Sequence, residues 1–320
     1  MPIPEVKEKW AGGIVEVQIG ATSAEGGTRT SVVKVGGHKG LPFLPFESAG
    51  GNKPVIAAHI LDIVPDEWHP LLKEPYKSVY NDVGRWAKFC VEELKVEMIA
   101  LTLSGCHPDT GNRDADYAAS VVTKLKEAVG VPLIVWGTGV VEKDNAVMPK
   151  VSSALRGERV LLGAATQHNY KTLCAVAQAD GHCLISEAPL DINIGKQVNI
   201  LLSDMEFPLN RIVMFQATGA LGYGFEYTYS IQERQRLAGL GGDKLMGIPM
   251  LATGGDEAWK AKEAKAPQSE FPQWGSESVR GPLWEITTAV GMLLSGVDIL
   301  LMRHPDAIKT VQKYIARLWQ

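Results

Sequence analysis

Eight apolar segments recur along the chain from residue 54 onwards, and a helical pattern separates each from the next. Nearly continuous apolar character over such short lengths is typical of strands buried on both faces, as parallel strands are. The predicted strands are PVIAAHI (54–60), EMIALTL (97–103), PLIVWG (132–137), RVLLGAAT (159–166), HCLISEA (182–188), RIVMFQ (211–216), IPMLAT (248–253) and VDILLM (297–302).

Apolar residues recur at helical spacing in the segments between these strands. Eight strand–helix repeats match the ~250 residues of a closed (β/α)8 barrel. An open doubly wound sheet would also alternate, but no G-x-G-x-x-G follows the first strand. The sequence therefore predicts an α/β protein with a (β/α)8 TIM-barrel fold. The clearest helix faces are Val121, Val122, Leu125 and Val129, then Leu283, Ile286, Val290, Leu293 and Leu294, and finally Ile308, Val311, Ile315 and Leu318.

Two segments depart from the repeat. Residues 14–20 and 31–35 alternate apolar and polar positions around a turn, which predicts a β-hairpin at the N-terminal end of the barrel. We therefore expect a hairpin and Gly/Pro-rich extension over 1–53, packed on a barrel over 54–320. Residues 254–281 are an excursion on the rim, too long and too aromatic for an ordinary βα loop.

The composition narrows the function classes. The chain is 45% hydrophobic and 21% charged, so a large core is expected. Its 36 acidic and 32 basic residues give a formal net charge of −4 without a long basic block, which argues against nucleic acid as a partner. The start lacks a secretory signal, and no apolar run reaches the ~20 residues of a membrane helix. The expectation is a cytoplasmic protein with no membrane partner.

The metal-binding residue types are scattered. The cysteines form no C-x-x-C pair, so no iron–sulfur cluster is expected in this chain. His107, His168 and His304 follow predicted strands, where the functional groups of a barrel belong, but no H-x-H pairing links them. We expect no protein-bound metal and no catalytic residue, and we interpret these histidines as loop caps. The four cysteines are Cys90, Cys106, Cys174 and Cys183.

The most informative segment is residues 218–237, TGALGYGFEYTYSIQERQRL, which joins a strand to a helix. Its glycines permit tight backbone bends, and Tyr223, Tyr227 and Tyr229 offer flat faces with polar tips. Ser230 and Glu233 have capping-box spacing, which predicts that the helix begins at Ser230. Such a loop suits a large planar partner. The alternative, a tight turn with core tyrosines, stays open at this point.

Five long strings carry a family resemblance. Strings with Trp, Tyr and Gly at fixed places are far more specific than any short signature, and these span nearly the whole chain. They are GGHKGLPFLPFE (36–47), TGALGYGFEYTYSIQERQRLAGLGGD (218–243), EAWKAKEA (257–264), WGSESVRGPLWEITTA (274–289) and DILLMRHPDAI (298–308). Through them the chain resembles the small subunit of the corrinoid iron–sulfur protein. It is also similar to the delta subunit of the archaeal acetyl-CoA decarbonylase/synthase complex.

The resemblance implies a methyl carrier and not an enzyme in its own right. In this family a barrel-shaped small subunit pairs with a large subunit that holds an iron–sulfur cluster, and a corrinoid (cobamide) is held between the two. Its Co(I) accepts a methyl group from a methyltetrahydrofolate:corrinoid methyltransferase. The resulting methyl-Co(III) passes the group to CO dehydrogenase/acetyl-CoA synthase in the Wood–Ljungdahl pathway. The resemblance thus implies a heterodimer and two further protein partners.

The resemblance also suggests where the corrinoid would lie. The 218–226 loop and the 253–257 turn should face it, and the contacts should be stacking or hydrogen bonds to the macrocycle edge, not cobalt ligation. The predicted cofactor-binding residues are Thr218, Gly219, Tyr223 and Thr253.

Two other functions stay open. A pterin-dependent TIM-barrel methyltransferase would need carboxylate and amide groups deep in the mouth. A purely structural barrel would leave the corrinoid to the partner subunit alone. Candidates for the pterin-binding groups are Asp191 with Asn193, or Asn169 with Glu187.

Aromatic residues outside the loop indicate candidate partner surfaces, because exposed aromatic side chains mark interfaces. The excursion from Trp259 to Trp274 is one candidate, and the segment with Phe43 and Phe46 is the other. Packing against the barrel's own helices is the alternative for both.

Overall fold

A computed structural model of the chain describes residues 7–47, 50–66 and 68–319. Eight parallel strands close into a barrel in the order β10-β3-β4-β5-β6-β7-β8-β9, so the predicted (β/α)8 fold is confirmed. All eight predicted strands are present. They are β3 Val55–Leu61, β4 Met98–Thr102, β5 Leu133–Trp136, β6 Leu161–Ala165, β7 Cys183–Ala188, β8 Ile212–Gln216, β9 Met250–Ala252 and β10 Ile299–Met302.

Helices surround the barrel. Their buried faces pack on the outward side chains of the strands, and Pro305 and Asp306, residue types favoured at helix N-termini, open the last helix. The helices are α1 Pro70–Lys73, α2 Val83–Leu94, α3 Ala115–Ala128, α4 Val141–Ala154, α5 Tyr170–Asp180, α6 Ile192–Asp204, α7 Phe225–Leu240, α8 Gly254–Ala258, α9 Lys262–Lys265, α10 Glu277–Leu294 and α11 Pro305–Leu318.

Two separate apolar clusters follow from the alternation of side chains along each strand. In β3, Val55 and Ala57 point into the lumen, whereas Ile56 and Ala58 join the layer between barrel and helices. The same alternation applies to the other strands, except at a register irregularity in β6. Consequently, the inward side chains fill the lumen in layers to which alternate strands contribute.

The N-terminal hairpin covers the bottom of the lumen. Strands β1 (Glu16–Ile19) and β2 (Val33–Gly36) pair antiparallel, and their apolar side chains join the lumen cluster. The Cys183 thiol lies 3.4 Å from the backbone oxygen of Gln18, so hairpin and barrel are in direct contact. The domain boundary at residue 53 stays a prediction, and residues 1–6, 48 and 49 of the extension lie outside the described residues.

The helix after β8 begins five residues earlier than predicted. α7 begins at Phe225, after Gly224 in the left-handed conformation (φ 87°), so the expected capping box at Ser230 and Glu233 is wrong. Tertiary contacts explain the difference. The Phe225 ring packs so closely on Gly291 of α10 that a Cβ at Gly291 would lie 2.3 Å from it. The first turn is therefore held by packing and not by a side-chain cap.

The predicted apolar face of α10 is partly wrong. Leu293 is buried as expected, but Leu283 and Leu294 are exposed. Ala289 and Met292 occupy the buried stripe instead, because small and flexible side chains fit closely beside α8. Among the described residues, no helix is both long and apolar enough to cross a bilayer.

Candidate functional site at the barrel mouth

The uppermost level of the lumen is mixed in character, unlike the aliphatic levels below it. Because inward-facing residues alternate along a strand, each of its side chains belongs to the residue two positions after a lumen-facing apolar residue. They combine aromatic rings, hydroxyls and charged groups. These side chains are His59, Thr102, Trp136, Glu187, Phe215, Thr253 and Arg303.

An aromatic pair floors the mouth. The rings of Trp136 and Phe215 meet edge to face, with centroids 4.8 Å apart and planes at 89°. Because β5 and β8 are three strands apart in the barrel, this contact crosses the lumen. Edge-to-face geometry is a favoured arrangement of aromatic rings. The pair thus fills part of the lumen at the level of the mouth.

Glu187 lies beside this floor. β7 and β8 pair Glu187 with Phe215, and the half-buried carboxyl has no hydrogen-bond or ion-pair partner among the described residues. Burial and, secondarily, the nearby Asp144 carboxylate raise the pKa of Glu187 to about 7. Asp144 itself is occupied, since Thr138 and Gly139 donate hydrogen bonds to both of its oxygens. Glu187 is therefore a free carboxyl available to a ligand.

A cluster of charges lies on the opposite side of the mouth. A guanidinium nitrogen of Arg303 lies 2.6 Å from Asp256 Oδ1, and Lys260 Nζ lies 3.2 Å from Asp256 Oδ2 and 2.8 Å from Glu257 Oε1. Burial alone would raise the pKa of Asp256, but Arg303 and Lys260 outweigh it and lower the pKa to about 2. Asp256 is therefore ionised at neutral pH.

One buried carboxylate holds this side of the mouth together. Glu285 of α10 accepts hydrogen bonds from Trp259 Nε1 (2.6 Å) and from the backbone N–H groups of Arg303 (2.7 Å) and His304 (3.1 Å). Its side chain is fully buried, and burial raises its pKa. Glu285 thus fixes the end of β10 to the excursion that follows β9.

The structure brings the predicted residues Thr218 and Thr253 together. Their hydroxyl oxygens lie 2.8 Å apart, across the ends of β8 and β9. Gly219 is buried, and its N–H donates to Thr228 Oγ1 (2.6 Å), so this amide is already used. A Cβ at Gly219 would lie 2.5 Å from the carbonyl oxygen of Tyr223, which shows that the tight loop requires glycine.

The predicted residue Tyr223 is fully available. Its side chain is 59% exposed, and that of Tyr227, one helical turn further, is 65% exposed. Two of the three tyrosines are therefore exposed as expected, whereas Tyr229 is half-buried and its ring lies 6.1 Å from that of Phe225. Leu190, Val279 and Leu283 are also exposed, and Trp284 Nε1 donates to Leu221 O (2.8 Å), which joins α10 to the loop. We call the five residues Leu190, Tyr223, Tyr227, Val279 and Leu283 the rim crescent.

The excursion is less open than predicted. Trp259 is only 4% exposed and lies between the rings of His69 and His304, so it is wrong as a partner-facing residue. Trp274 stacks on Phe271 at 4.2 Å and is half-buried.

In the Gly/Pro-rich segment, the two phenylalanines differ. Phe43 packs edge to face on Trp319, whereas Phe46 is exposed. Only Phe46 therefore fits the predicted partner surface. Internal packing of the barrel's own elements accounts for the other aromatic side chains.

Several other candidate groups serve local structure. Asp191 caps α6 by accepting from the N–H groups of Asn193 and Ile194. Asn169 accepts from Thr166 N–H and donates to Ala164 O. Of the four residues proposed for a pterin, Glu187 alone combines a lumen-facing position with a free polar group.

Two of the three rim histidines cap loops. His107 and His304 each accept a backbone N–H two residues further along through Nδ1, at 3.1 and 3.2 Å. The third, His168, contacts Gln167 Nε2 at 3.1 Å. Cys106 is buried, and burial raises its pKa to about 11, so this thiol is not reactive.

Sequence reasoning missed His59, Trp136 and Phe215. Each lies in a predicted strand, where an apolar run alone does not distinguish a residue at the mouth from one in the packed interior. A signal was present for His59, the single titratable residue of an otherwise apolar strand. Counting alternate positions towards the carboxyl end of each strand would have found all three.

The family model of the CO dehydrogenase/acetyl-CoA synthase delta subunit matches residues 16–269. The delta subunit of the acetyl-CoA decarbonylase/synthase complex of Archaeoglobus fulgidus is 36% identical over 316 residues, covering 96% of this chain and 69% of that protein. The same subunit of Methanocaldococcus jannaschii is 35% identical over 307 residues, covering 96% of this chain and 74% of that protein.

Solved dihydropteroate synthases share the fold. The Xanthomonas albilineans enzyme with 4-aminobenzoic acid superposes with a TM-score of 0.55 at 12% identity, covering 84% of this chain and 93% of that one. The Clostridium difficile enzyme in the presence of pteroic acid superposes with a TM-score of 0.54 at 14% identity, covering 83% of this chain and 97% of that one. At these identities the likeness shows the barrel fold alone.

Glu285→Gln should destabilise the protein by ~1–3 kcal/mol, because an amide NH2 group would face N–H donors that now meet a carboxylate oxygen. Urea unfolding monitored by tryptophan fluorescence measures the change. Glu233→Gln, exposed on α7, is the matched control and should shift the free energy of unfolding by no more than ~0.5 kcal/mol. Equal effects of the two substitutions would contradict the role assigned to Glu285.

Glu187→Gln should stabilise the protein more at pH 8 than at pH 4. The pKa of Glu187 is about 7 in the folded protein but has its ordinary value of 4.5 in the unfolded chain. The wild-type protein is therefore stabilised by protonation of Glu187 at low pH and loses this stability as the pH rises from 4.5 to 7. Glutamine does not ionise, so the variant keeps this part of the free energy of unfolding, which is on the order of 1–3 kcal/mol. Unfolding at both pH values measures it, with the exposed Glu226→Gln as control. A pH-independent difference for Glu187→Gln would refute the prediction.

Proposed function

Since this chain belongs to the family of delta subunits of the acetyl-CoA decarbonylase/synthase complex, we propose that it is the small subunit of a heterodimeric methyl carrier. In this proposal it holds a corrinoid against a large subunit that carries the iron–sulfur cluster. The corrinoid, when bound, supplies a cobalt ion that carries the methyl group between a methyltetrahydrofolate:corrinoid methyltransferase and CO dehydrogenase/acetyl-CoA synthase. The chain itself positions and shields this group.

The mouth fits a large planar group with polar edges. The main support for this proposal is the exposed Tyr223 beside the paired hydroxyls of Thr218 and Thr253. These residues lie at the end of a lumen that the Trp136–Phe215 pair closes. An aromatic face can pack on a macrocycle while hydroxyls reach its edge. A floor at this level favours a ligand that rests on the rim over one that enters the barrel.

Tyr223 and Thr218 can contact such a group directly, whereas Thr253 is buried, with 8% of its surface exposed. Tyr223 is exposed, and Thr218 and Thr253 each have further hydrogen-bonding capacity beyond their mutual contact. Gly219 would act differently. Its N–H is bonded to Thr228, so it shapes the loop and does not donate to the cofactor.

The large subunit would cover the rim crescent. Tyr223 belongs to the proposed corrinoid site, and the other four residues of the crescent remain exposed for the partner. Leu190 and Tyr227 also line a surface groove of about 460 Å³ between α6 and α7, which offers the partner a pocket. Exposed apolar groups of this kind are typical of interfaces. This assignment replaces the buried Trp259 with residues that a partner can reach.

Tyr223→Ala should weaken corrinoid retention about three- to tenfold in the heterodimer, the loss expected for one aromatic contact. Copurification with the large subunit followed by the visible corrinoid spectrum during dialysis measures retention. Tyr314→Ala, an exposed tyrosine on α11, is the matched control.

Size-exclusion chromatography must show an intact heterodimer for both variants. Equal retention in the two would indicate that the corrinoid contacts the large subunit alone. A colourless, stable monomer with its own turnover would overturn the carrier proposal.

A second candidate function, pterin-dependent methyl transfer, is favoured by the free carboxyl of Glu187 beside the Phe215 ring. A half-protonated carboxyl can bond the amino and ring N–H groups of a pterin while an aromatic side chain packs on its face. Dihydropteroate synthases of the same fold are known with pteroic acid.

Titration of the isolated chain with methyltetrahydrofolate separates the two functions. The carrier proposal expects no saturable micromolar binding and no methyl transfer to free cobalamin. Binding and turnover that Glu187→Gln abolishes and Glu226→Gln leaves intact would establish the second function instead.

A further inference from the structure

A polar corner of the mouth has hydrogen-bonding groups that the proposed function does not yet use. It lies where β3, β9 and β10 end, and we call it the Arg303 corner. The parallel pairing of β10 with β3 brings Arg303 beside His59. The corner consists of His59, Trp68, Asp256, Lys260 and Arg303.

The Arg303 side chain is rigidly held. Its backbone N–H donates to Glu285, and its carbonyl accepts from the Tyr76 hydroxyl at 2.5 Å. The guanidinium carbon lies 5.2 Å from the ring centroid of Trp68, and one terminal nitrogen bonds Asp256. A group fixed at both the main chain and the side chain is preorganised for a ligand.

Two buried nitrogen atoms in the corner have no partner among the described residues. One is Arg303 Nε, a permanent donor, and the other is His59 Nδ1. The second ring nitrogen of His59 is already used, at 2.8 Å from Thr102 Oγ1. Buried polar atoms in native proteins are normally satisfied, so these two indicate a place for an incoming group.

The charges of the corner are balanced without a ligand. Arg303 and Lys260 face Asp256 and Glu257, so two positive groups oppose two acidic ones. Burial and the neighbouring Arg303 lower the pKa of His59 to about 3, so its imidazole is neutral. An anion would therefore find no net attraction here, whereas a neutral group with one acceptor and one donor fits.

The corner opens towards the rim. Side-chain exposure rises from 9% at Arg303 to 28% at Asp256 and 51% at Lys260. A ligand edge could thus enter past Lys260 and reach the Arg303 guanidinium. Thr253, which follows β9, places the predicted cofactor residues on the adjoining part of the rim.

We propose that the Arg303 corner binds a neutral primary carboxamide, whose oxygen accepts from Arg303 Nε and whose NH2 group donates to His59 or Asp256. This inference rests on the proposed function, because the corrin ring carries carboxamides around its edge. The corner would then select amidated corrinoids over their carboxylic acids. His59, Asp256 and Arg303 are binding residues in this scheme and take no part in methyl transfer.

Competing probes test the inference on the heterodimer freed of its own corrinoid. Cobinamide presents the carboxamides, and cobyrinic acid presents carboxylic acids on the same ring. The dissociation constant of each probe is measured from the change in its visible spectrum during titration. We expect wild type to bind cobinamide at least tenfold more tightly, and Arg303→Lys, which keeps the charge but lacks the Nε–H donor, to weaken cobinamide binding about tenfold. In Arg303→Lys, the preference for cobinamide over cobyrinic acid should largely disappear.

Arg113→Lys is the matched control, because Arg113 also lies over an aromatic ring on the rim, that of Tyr117, but outside the corner. It should bind both probes as wild type does. An unchanged preference in Arg303→Lys would overturn the inference, because the carboxamides would then be recognised elsewhere. Failure of wild type to bind either probe would instead overturn the proposed function, so the two failures are distinguishable.

Discussion

The functional side of this barrel depends on the buried carboxylate of Glu285. Its oxygens accept from Trp259 and from the backbone N–H groups at the end of β10, so one side chain joins α10, the excursion and the last strand. A fully desolvated carboxylate is costly unless such donors surround it. Because they do, the Arg303 side chain and the Asp256 turn keep fixed positions at the mouth.

A second constraint comes from closure of the barrel. Side chains alternate along eight parallel strands, so the lumen is filled in levels, and the hairpin seals its lower end. The contact between Trp136 and Phe215 closes it near the top. Functional groups are therefore concentrated on the rim, where a broad ligand can rest against them.

The rim itself divides into regions of different chemistry. The rim crescent is apolar and exposed, the Thr218–Thr253 pair is polar, and the Arg303 corner is charged but balanced. This order suits an assembly in which a protein partner covers the apolar region and a cofactor edge meets the polar ones. Membership of the delta-subunit family agrees with a barrel that functions within a complex.

The pattern of apolar and polar residues was enough to predict the barrel, its eight strands and the hairpin, because buried parallel strands and a half-buried hairpin have different periodicities. The sequence also determined the family, through long strings of rare residues. The start of α7 at Phe225, the exposure of Leu283 and the burial of Trp259 were decided only by the tertiary structure.

The physical reason is the same in each case. Whether an apolar side chain is buried depends on what lies opposite it, such as Gly291 against Phe225 or two histidine rings against Trp259. Local periodicity does not contain that information. The candidate site shows the same limit, since His59 and Arg303 are far apart in the chain and become neighbours only when β10 closes the barrel against β3.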